Sequence, residues 1–204
     1  MSGLKMVKSE HRSALLERYR CINVEHVEWW DCVYADFKED MRDAGIHVDH
    51  ILFSGFSSQG DGACFEGSFA NLRTYLDHHH KDQYPLIRKL LASGGYIDIV
   101  CTHRGHYYYN SNSTSVELEH DTFYRLIECP TEFHEQIVDT WDRQLDDEAS
   151  GFEKDVTEQW RSYMDDLYIK LEKEYDYLVS DEAVWEAIES NELDMDEEDL
   201  DEAA

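Results

Sequence analysis

The feature that most constrains the fold is a long stretch of helical periodicity in the last third of the chain. From Thr131 onward, apolar side chains recur every three or four residues, which places them on one face of an α-helix. This spacing predicts a helix up to residue 149, a second over residues 152–178 and a third that Ser180 caps. We expect Ser150 and Gly151 to interrupt the first two helices.

The N-terminal part shows the same periodicity followed by a sharp change. Residues 9–20 have the pattern of a short helix, and residues 24–44 that of a longer one, with Asn23 as the expected N-cap. Gly45 is placed where a helix C-terminus favours a left-handed residue. The alternation after Gly45 predicts a strand over residues 46–56.

The middle of the chain predicts further strands around one interrupted helical stretch. A glycine-rich segment from Phe53 to Phe69 indicates strand, loop and strand. Residues 70–92 are helical in pattern but broken near Pro85. The β-branched run 96–103 is expected to form a hairpin with the return strand at 115–120, through turn residues Asn110, Ser111 and Asn112.

Together these elements predict an α+β fold. We expect a small, mostly antiparallel sheet packed with an N-terminal helix and a long helical C-terminal half. Residues 1–190 are predicted to form a single domain, because 204 residues are enough for one hydrophobic core. Residues 191–204 are acidic and of low complexity, and we expect them to form a disordered tail.

The charge of the chain is strongly negative and unevenly distributed. The formal net charge is −28, of which residues 131–204 contribute −22 from 27 acids and five bases. Such a field repels nucleic acids and anionic membranes, and it favours proteins with a basic surface. We therefore expect a basic protein partner and neither nucleic acid nor membrane binding. The alternative is that the charge serves solubility alone.

The densest acidic segment supplies the predicted partner contacts. Residues 181–202 hold twelve acids and no base, whereas the helix at 152–179 has a net charge of only −4. Imitation of a DNA backbone would therefore have to use the later segment. The predicted contact residues are Asp181, Glu182, Glu186, Glu189, Glu192 and Asp194.

The glycine-rich loop is a second candidate site, centred on Gly60, Asp61 and Gly62. It lacks the Lys-Ser/Thr ending of a phosphate-binding loop and the spacing of a dinucleotide-binding turn. One interpretation is a tight turn in which the Asp61 side chain caps backbone N–H groups. The other is a ligand-binding or catalytic loop with Asp61 as a base.

Histidines and cysteines do not form a recognisable metal-binding pattern. Cys101, His103 and His106 lie on or beside one strand, and His78–His80 are consecutive. Neither group has the spacing of a helix-borne zinc site, and the five cysteines never occur as a C-x-x-C pair. We predict reduced cysteines, no metal and no cofactor. Among Tyr107–Tyr109 we expect at least one exposed side chain, which could anchor a partner.

No apolar run is long enough to span a bilayer, and the first residues lack the apolar stretch of a signal peptide. We therefore expect a cytoplasmic protein. The sequence leaves its oligomeric state open.

Three segments resemble a known but uncharacterised family. These are VEWWDCVYADFKEDMRDAGI, with the motif WWDxVY; HILFSGFSSQGDGACFEGSF, with the motif FSGFSSQGDGACF; and EYDYLVSDEAVWEAIESNEL. They are similar to small proteins found across tailed-bacteriophage genomes, some of which carry an antitoxin label. The resemblance implies a phage or prophage origin and action in the cytoplasm of an infected host cell. It implies no catalytic residues.

These observations lead to one main hypothesis and two alternatives. The main hypothesis is a phage-encoded accessory protein that binds and inhibits or redirects a host nucleic-acid-handling or defence protein through its acidic surface, for example as a DNA mimic. The first alternative is a small hydrolase or nucleotide-processing enzyme that uses Asp61 and nearby histidines such as His103. The second is an antitoxin-like protein that neutralises a basic toxin.

Overall fold

The computed structural model describes residues 11–105, 107–120, 134–191 and 193. The chain divides into two compact units. One unit comprises residues 34–169, and the other comprises residues 1–33 and 170–204. Glu192 and the segment 194–204, which contain most of the predicted tail, lie outside the described residues.

Pairs of helices alternate with pairs of strands along the described part of the chain. Helix α1 spans 11–18. The other elements, in chain order, are α2 (Asp31–Asp43), β1 (Ile46–Phe53), β2 (Ala63–Phe69), α3 (Leu72–His79), α4 (Pro85–Ala92), β3 (Ile97–His103), β4 (Thr114–His120), α5 (His134–Leu178) and α6 (Asp181–Ser190). The predicted α+β class is confirmed. No helix within these described ranges is both long and apolar enough to cross a bilayer.

The larger unit is built on a four-stranded sheet. Its strand order is β1-β2-β3-β4, and every neighbouring pair is antiparallel. The strand β3 shows why these residues form a sheet: Ile97, Ile99 and Cys101 are buried while the residues between them are exposed. The antiparallel arrangement, the strand-loop-strand order of β1 and β2 and the β3–β4 hairpin agree with the prediction.

Helix α5 contributes a stripe of buried side chains to the core of the larger unit. Seven of them, spaced three or four residues apart, are Leu145, Ala149, Phe152, Val156, Trp160, Met164 and Leu167. The Trp160 ring lies 5.6 Å from Phe65 and 5.4 Å from Phe69, between ring centroids. The helix therefore packs on side chains of β2.

The predicted break at Ser150 and Gly151 is wrong, because α5 continues through both residues. The preceding Ala149 and the following Phe152 are both buried in the same apolar stripe. A glycine inside a helix costs about 1 kcal/mol relative to alanine. Burial of one large apolar side chain stabilises by more than that, at about 1.5–3 kcal/mol.

The predicted start of the second helix is also wrong. Helix α2 begins at Asp31, and residues 19–26 form turns in which His26 has a left-handed φ of 62°. Asn23 is not an N-cap, since its side-chain amide donates to the carbonyls of Leu178 and Ala183 at 3.0 and 3.2 Å. Those acceptors lie far along the sequence, so local periodicity does not reveal them.

The interrupted helical stretch 70–92 forms two helices, as the Pro85 signal predicts. Asn71 caps α3 by accepting from the Thr74 amide at 3.1 Å. Pro85 is the first residue of α4, where its missing N–H costs no hydrogen bond. Tyr84 precedes it with a left-handed φ of 61°.

In the smaller unit, α6 packs against α1. Val184 and Ile188 of α6 form a core with Leu15 and Leu16 of α1. The predicted cap of α6 is confirmed, because the Ser180 hydroxyl accepts from the Ala183 amide at 3.3 Å. These contacts fix which face of α6 is turned inward.

Gly45 and Gly94 provide a test of the close packing after α2. Both have a left-handed φ, of 85° and 83°. A Cβ at residue 45 would lie 2.5 Å from the Asn71 carbonyl oxygen, whereas none of the described atoms lies within 4 Å at residue 94. We expect Gly94→Ala to lower the free energy of unfolding by about 1 kcal/mol and Gly45→Ala by more than about 2 kcal/mol. Urea denaturation measures both, and equal losses would contradict this packing.

Candidate interaction surface

Helix α6 carries four of the six predicted contact residues on its exposed surface. Its buried side consists of Ala183, Val184 and Ile188. The exposed acids are Asp181, Glu182, Glu186 and Glu189, which we call the α6 acidic face. Because Glu182, Glu186 and Glu189 are spaced by four and three residues, they follow one side of the helix.

The carboxylates of this face differ in their local contacts. Asp181 accepts a hydrogen bond from the Arg20 guanidinium at 2.5 Å, and Glu189 accepts one from the Trp185 indole at 2.6 Å. None of the described residues donates a hydrogen bond to the side-chain carboxylates of Glu182 and Glu186. The sequence does not reveal the Asp181 contact, because Arg20 lies 161 residues away. The predicted contacts Glu192 and Asp194 lie outside the described residues.

The glycine-rich loop connects β1 to β2, and Asp61 shapes it. One carboxylate oxygen, Oδ2 of Asp61, accepts from the backbone amides of Ser57 and Ser58 at 2.9 and 2.7 Å. Gly60 has a left-handed φ of 98°. These are the capping contacts that the turn interpretation predicts. The role of the loop as a ligand site stays a hypothesis.

A second loop, between β3 and β4, packs directly on the glycines. The Asn110 side-chain amide donates to the Gly60 carbonyl at 3.1 Å. A Cβ at Gly60 would lie 2.6 Å from the Tyr108 ring, and one at Gly62 would lie 2.6 Å from the Cβ of Asn110. The glycines therefore permit close approach of another loop, which the sequence alone does not indicate.

We call these segments the two-loop surface: residues 54–62, 104, 105 and 107–113. They lie at the same end of the sheet, since both are hairpin connections of the antiparallel strand pairs β1–β2 and β3–β4. The tyrosines 107–109 follow β3 in this connection and are not part of a strand. Tyr107 and Tyr108 are exposed, as expected for at least one of the three.

The cysteine and histidine candidates near this surface make structural contacts. Cys101 is buried and donates to the Phe65 carbonyl at 3.5 Å; burial raises the pKa of its thiol to about 12. The Nε2 atom of His103 lies 3.1 Å from the Tyr108 carbonyl oxygen. His106 is outside the described residues. Among those that are described, no group of three or more His, Cys, Asp and Glu side chains could hold a metal ion.

The consecutive histidines lie at the end of α3, beside α5. His79 Nε2 is 2.7 Å from the Tyr163 hydroxyl, and His80 Nδ1 is 2.8 Å from the Gln83 side-chain oxygen. Burial, followed by the charges of His78 and His80, lowers the pKa of His79 to about 4. His79 is therefore neutral at pH 7 and serves as a hydrogen-bonding group between two helices.

Acidic residues of α5 also hold the α3–α4 connection. Glu148 Oε1 accepts from the amides of Leu86 and Ile87 at 2.8 and 2.9 Å, which satisfies the first turn of α4. The Tyr84 hydroxyl donates to Asp155 Oδ2. These two carboxylates, which belong to the acidic C-terminal third, therefore have a structural role.

A comparison with protein families identifies the family of this chain. Residues 29–181 match the model of a family described as a domain of unknown function (DUF8835). No curated protein and no solved structure matches the chain. The matched region includes the whole two-loop surface and ends at Asp181. The other three residues of the α6 acidic face therefore follow the matched region.

Replacement of Asp61 tests whether its carboxylate orders the glycine loop. Asp61→Ala removes the acceptor of two backbone hydrogen bonds, and Asp61→Asn retains one oxygen as acceptor. We expect hydrogen exchange at the Ser57 and Ser58 amides to be at least about tenfold faster in Asp61→Ala, equivalent to a loss of about 1.4 kcal/mol. Asp61→Asn should show a smaller change. Unchanged exchange in Asp61→Ala would contradict the capping role.

Titration of His79 tests its burial against α5. Since its pKa is lower in the folded protein than the ordinary value of 6.5, the unfolded chain binds more protons between about pH 6.5 and 4. The contribution of His79 to stability is thus present above this window and is lost as the pH falls through it. We expect an NMR titration midpoint near pH 4 for the His79 ring. A midpoint near 6.5 would contradict the burial.

Proposed function

The chain belongs to the family of the domain of unknown function DUF8835, and we propose that it works as a binding protein. In this proposal it is a phage-encoded accessory protein whose acidic residues engage a basic surface on a host protein. The target is a nucleic-acid-handling or defence protein, which the chain inhibits or redirects. The resemblance to tailed-phage proteins supports the setting, and the net charge of −28 supports the class of partner.

The observation that carries the proposal is the orientation of α6. Val184 and Ile188 are buried against Leu15 and Leu16, so the helix cannot rotate without exposing its apolar side. Arg20 adds a further constraint through its bonds to Asp181 and to the Val179 carbonyl. The acidic face is therefore held toward solvent by packing.

The spacing of the carboxylates suits a basic groove that holds nucleic acid. Four acids between residues 181 and 189 occupy about 12 Å of helix axis, at about 1.5 Å per residue. One strand of duplex DNA carries a phosphate every ~3.4 Å. Since Asp181 is paired with Arg20, the other three acids of the α6 acidic face lie about 5 Å apart along the axis. This charge density is below that of a single strand but of the same order, and a DNA mimic is one form of the proposal.

The expected energetics are those of several weak, solvent-exposed ion pairs. A single exposed pair contributes about 0.2–1 kcal/mol and is screened by salt. Affinity therefore requires several pairs acting together, and the long-range field mainly increases the association rate. An antitoxin-like function would use the same chemistry with a basic toxin as partner. In the enzymatic alternative, the proposed base Asp61 would have to act while accepting two backbone hydrogen bonds.

A charge-matched pair of variants tests the proposal. The first is the triple variant Glu182→Gln, Glu186→Gln, Glu189→Gln, in which the amide oxygen introduced by Glu189→Gln can still accept from Trp185. The control is Asp98→Asn, Glu117→Gln, Glu119→Gln, which neutralises three exposed acids on β3 and β4. Both variants have a formal charge of −25, since three of the 46 acids are neutralised in each.

We expect a pull-down from nuclease-treated bacterial lysate to yield one dominant basic protein with the wild-type chain and the control variant. The α6 variant should lose it. Affinity of the wild-type chain should fall at least about tenfold between about 0.05 M and 0.5 M salt. Equal binding by both variants, or binding that is independent of salt, would contradict the proposal. Truncation after Ser180 is unsuitable, because it would remove Val184 and Ile188 from the core of the smaller unit.

A further inference from the structure

We propose that the two-loop surface is a second binding surface, which fits an uncharged, concave patch on a folded protein. This inference does not depend on the α6 acidic face. It rests on exposed aromatic side chains, on the rigid support beneath them and on the local absence of net charge. Each of these is an observation on the larger unit alone.

The exposed side chains of the surface are those that protein recognition uses. Tyr107 is 88% exposed and Tyr108 44% exposed, and their rings meet edge to face with centroids 5.3 Å apart. The exposed polar neighbours are Ser57, Ser58, Gln59 and Asn112. Tyrosine supplies a large contact area at low entropic cost, and Ser, Gly and Asn supply adaptable hydrogen bonds, as in antibody paratopes.

Residues 108–113 of the second loop are held by hydrogen bonds and a ring contact within the larger unit. Asn110 and Ser113 form a reciprocal cap around a short 3-10 turn. The Tyr108 carbonyl lies within hydrogen-bond distance of His103, and the Tyr109 ring packs on the same imidazole at 5.2 Å. A loop held in this way loses little conformational freedom on binding.

The glycine loop is held by contacts with Tyr168 of α5. The Tyr168 hydroxyl of α5 donates to the Gly55 carbonyl at 3.2 Å. The same tyrosine ring lies 5.4 Å from Phe56 and 6.5 Å from Phe53. Together with the Asn110–Gly60 bond, these contacts join both loops to the core, and Tyr107 lies against the Tyr108 ring.

The formal charge of the two-loop surface indicates which kind of partner it can bind. The two-loop surface contains one Arg (Arg104) and one Asp (Asp61), so its formal charge is +1 − 1 = 0 in a chain of −28. With a single Arg and no Lys it cannot neutralise a nucleic acid backbone. With a single acid, already bonded to two amides, it does not complement a basic protein. A second copy of this chain is disfavoured by repulsion between two charges of −28.

The two-loop surface therefore suits an uncharged pocket on another protein, with Tyr107 and Tyr108 as the side chains that enter it. Interface hot spots are enriched in tyrosine that fills a desolvated pocket. Both loops that build the surface lie within the matched family region, residues 29–181. In this proposal the FSGFSSQGDGACF loop has a recognition role as well as a structural one.

Site-specific photo-crosslinking in bacterial cells tests the proposal with the full chain. Tyr107 is replaced by p-benzoyl-L-phenylalanine, and Tyr96 is replaced in the same way as a control. Tyr96 is 52% exposed and precedes β3, whereas Tyr107 follows it, so the two lie about 20 Å apart along the strand. We expect one discrete protein adduct from position 107 and none from position 96.

Binding of the identified protein to the purified chain completes the test. Tyr107→Ser should weaken affinity at least about tenfold, while Tyr96→Ser and the α6 triple variant leave it unchanged. A side chain that is 88% exposed does not support the fold, so loss of binding cannot be attributed to unfolding. Adducts with nucleic acid, adducts only between copies of this chain, or no adduct above that of position 96 would each overturn the proposal. Affinity lost in the α6 variant but kept in Tyr107→Ser would overturn it while supporting the acidic-surface function.

Discussion

The packing of one helix against one strand determines the larger unit. Trp160 of α5 is fully buried between Phe65 and Phe69 of β2, and the apolar stripe continues through Phe152 and Val156. A stripe at spacings of three and four residues can meet a sheet only as a continuous helix. The same constraint explains why Gly151 is tolerated, since a break there would separate Leu145 and Ala149 from the rest of the stripe. Other helices join the same aromatic cluster, since Phe65 also meets Phe37 of α2 and Phe69 meets Tyr75 of α3.

Polar residues on α5 add hydrogen bonds to the elements that pack around the apolar stripe. Glu148 satisfies the first amides of α4, Asp155 holds Tyr84, Tyr163 holds His79 and Tyr168 holds the glycine loop. The helix thus acts as a scaffold through hydrophobic burial and through hydrogen bonds made by other residues along it. This use of carboxylates also shows that acidity in the C-terminal third is not uniformly available for partners. Only acids with no such local role can contribute fully to a recognition field.

The features that could be predicted from the sequence are those with local causes. The strands after Gly45, the break at Pro85 and the Ser180 cap follow from neighbouring residues, and all three are confirmed. The error at Asn23 and the unforeseen packing at Gly60 both arise from contacts distant in sequence. Asn23 donates to a carbonyl 155 residues away, and Gly60 is approached by a loop 50 residues away. Periodicity carries no information on such pairs, because they depend on how the elements are assembled.

The two proposed surfaces differ in the physics of recognition, and this difference separates the kinds of partner that each can bind. A field from many carboxylates acts over about a Debye length and increases encounter rates, yet each exposed ion pair adds little affinity. Fixed tyrosines act only at contact, where burial of aromatic area slows dissociation. The loops lie within the matched family region, whereas three of the four acids of the α6 face follow it. The proposed contact surface and most of the proposed steering charge therefore belong to different segments of this chain, which allows them to serve two partners of different chemistry.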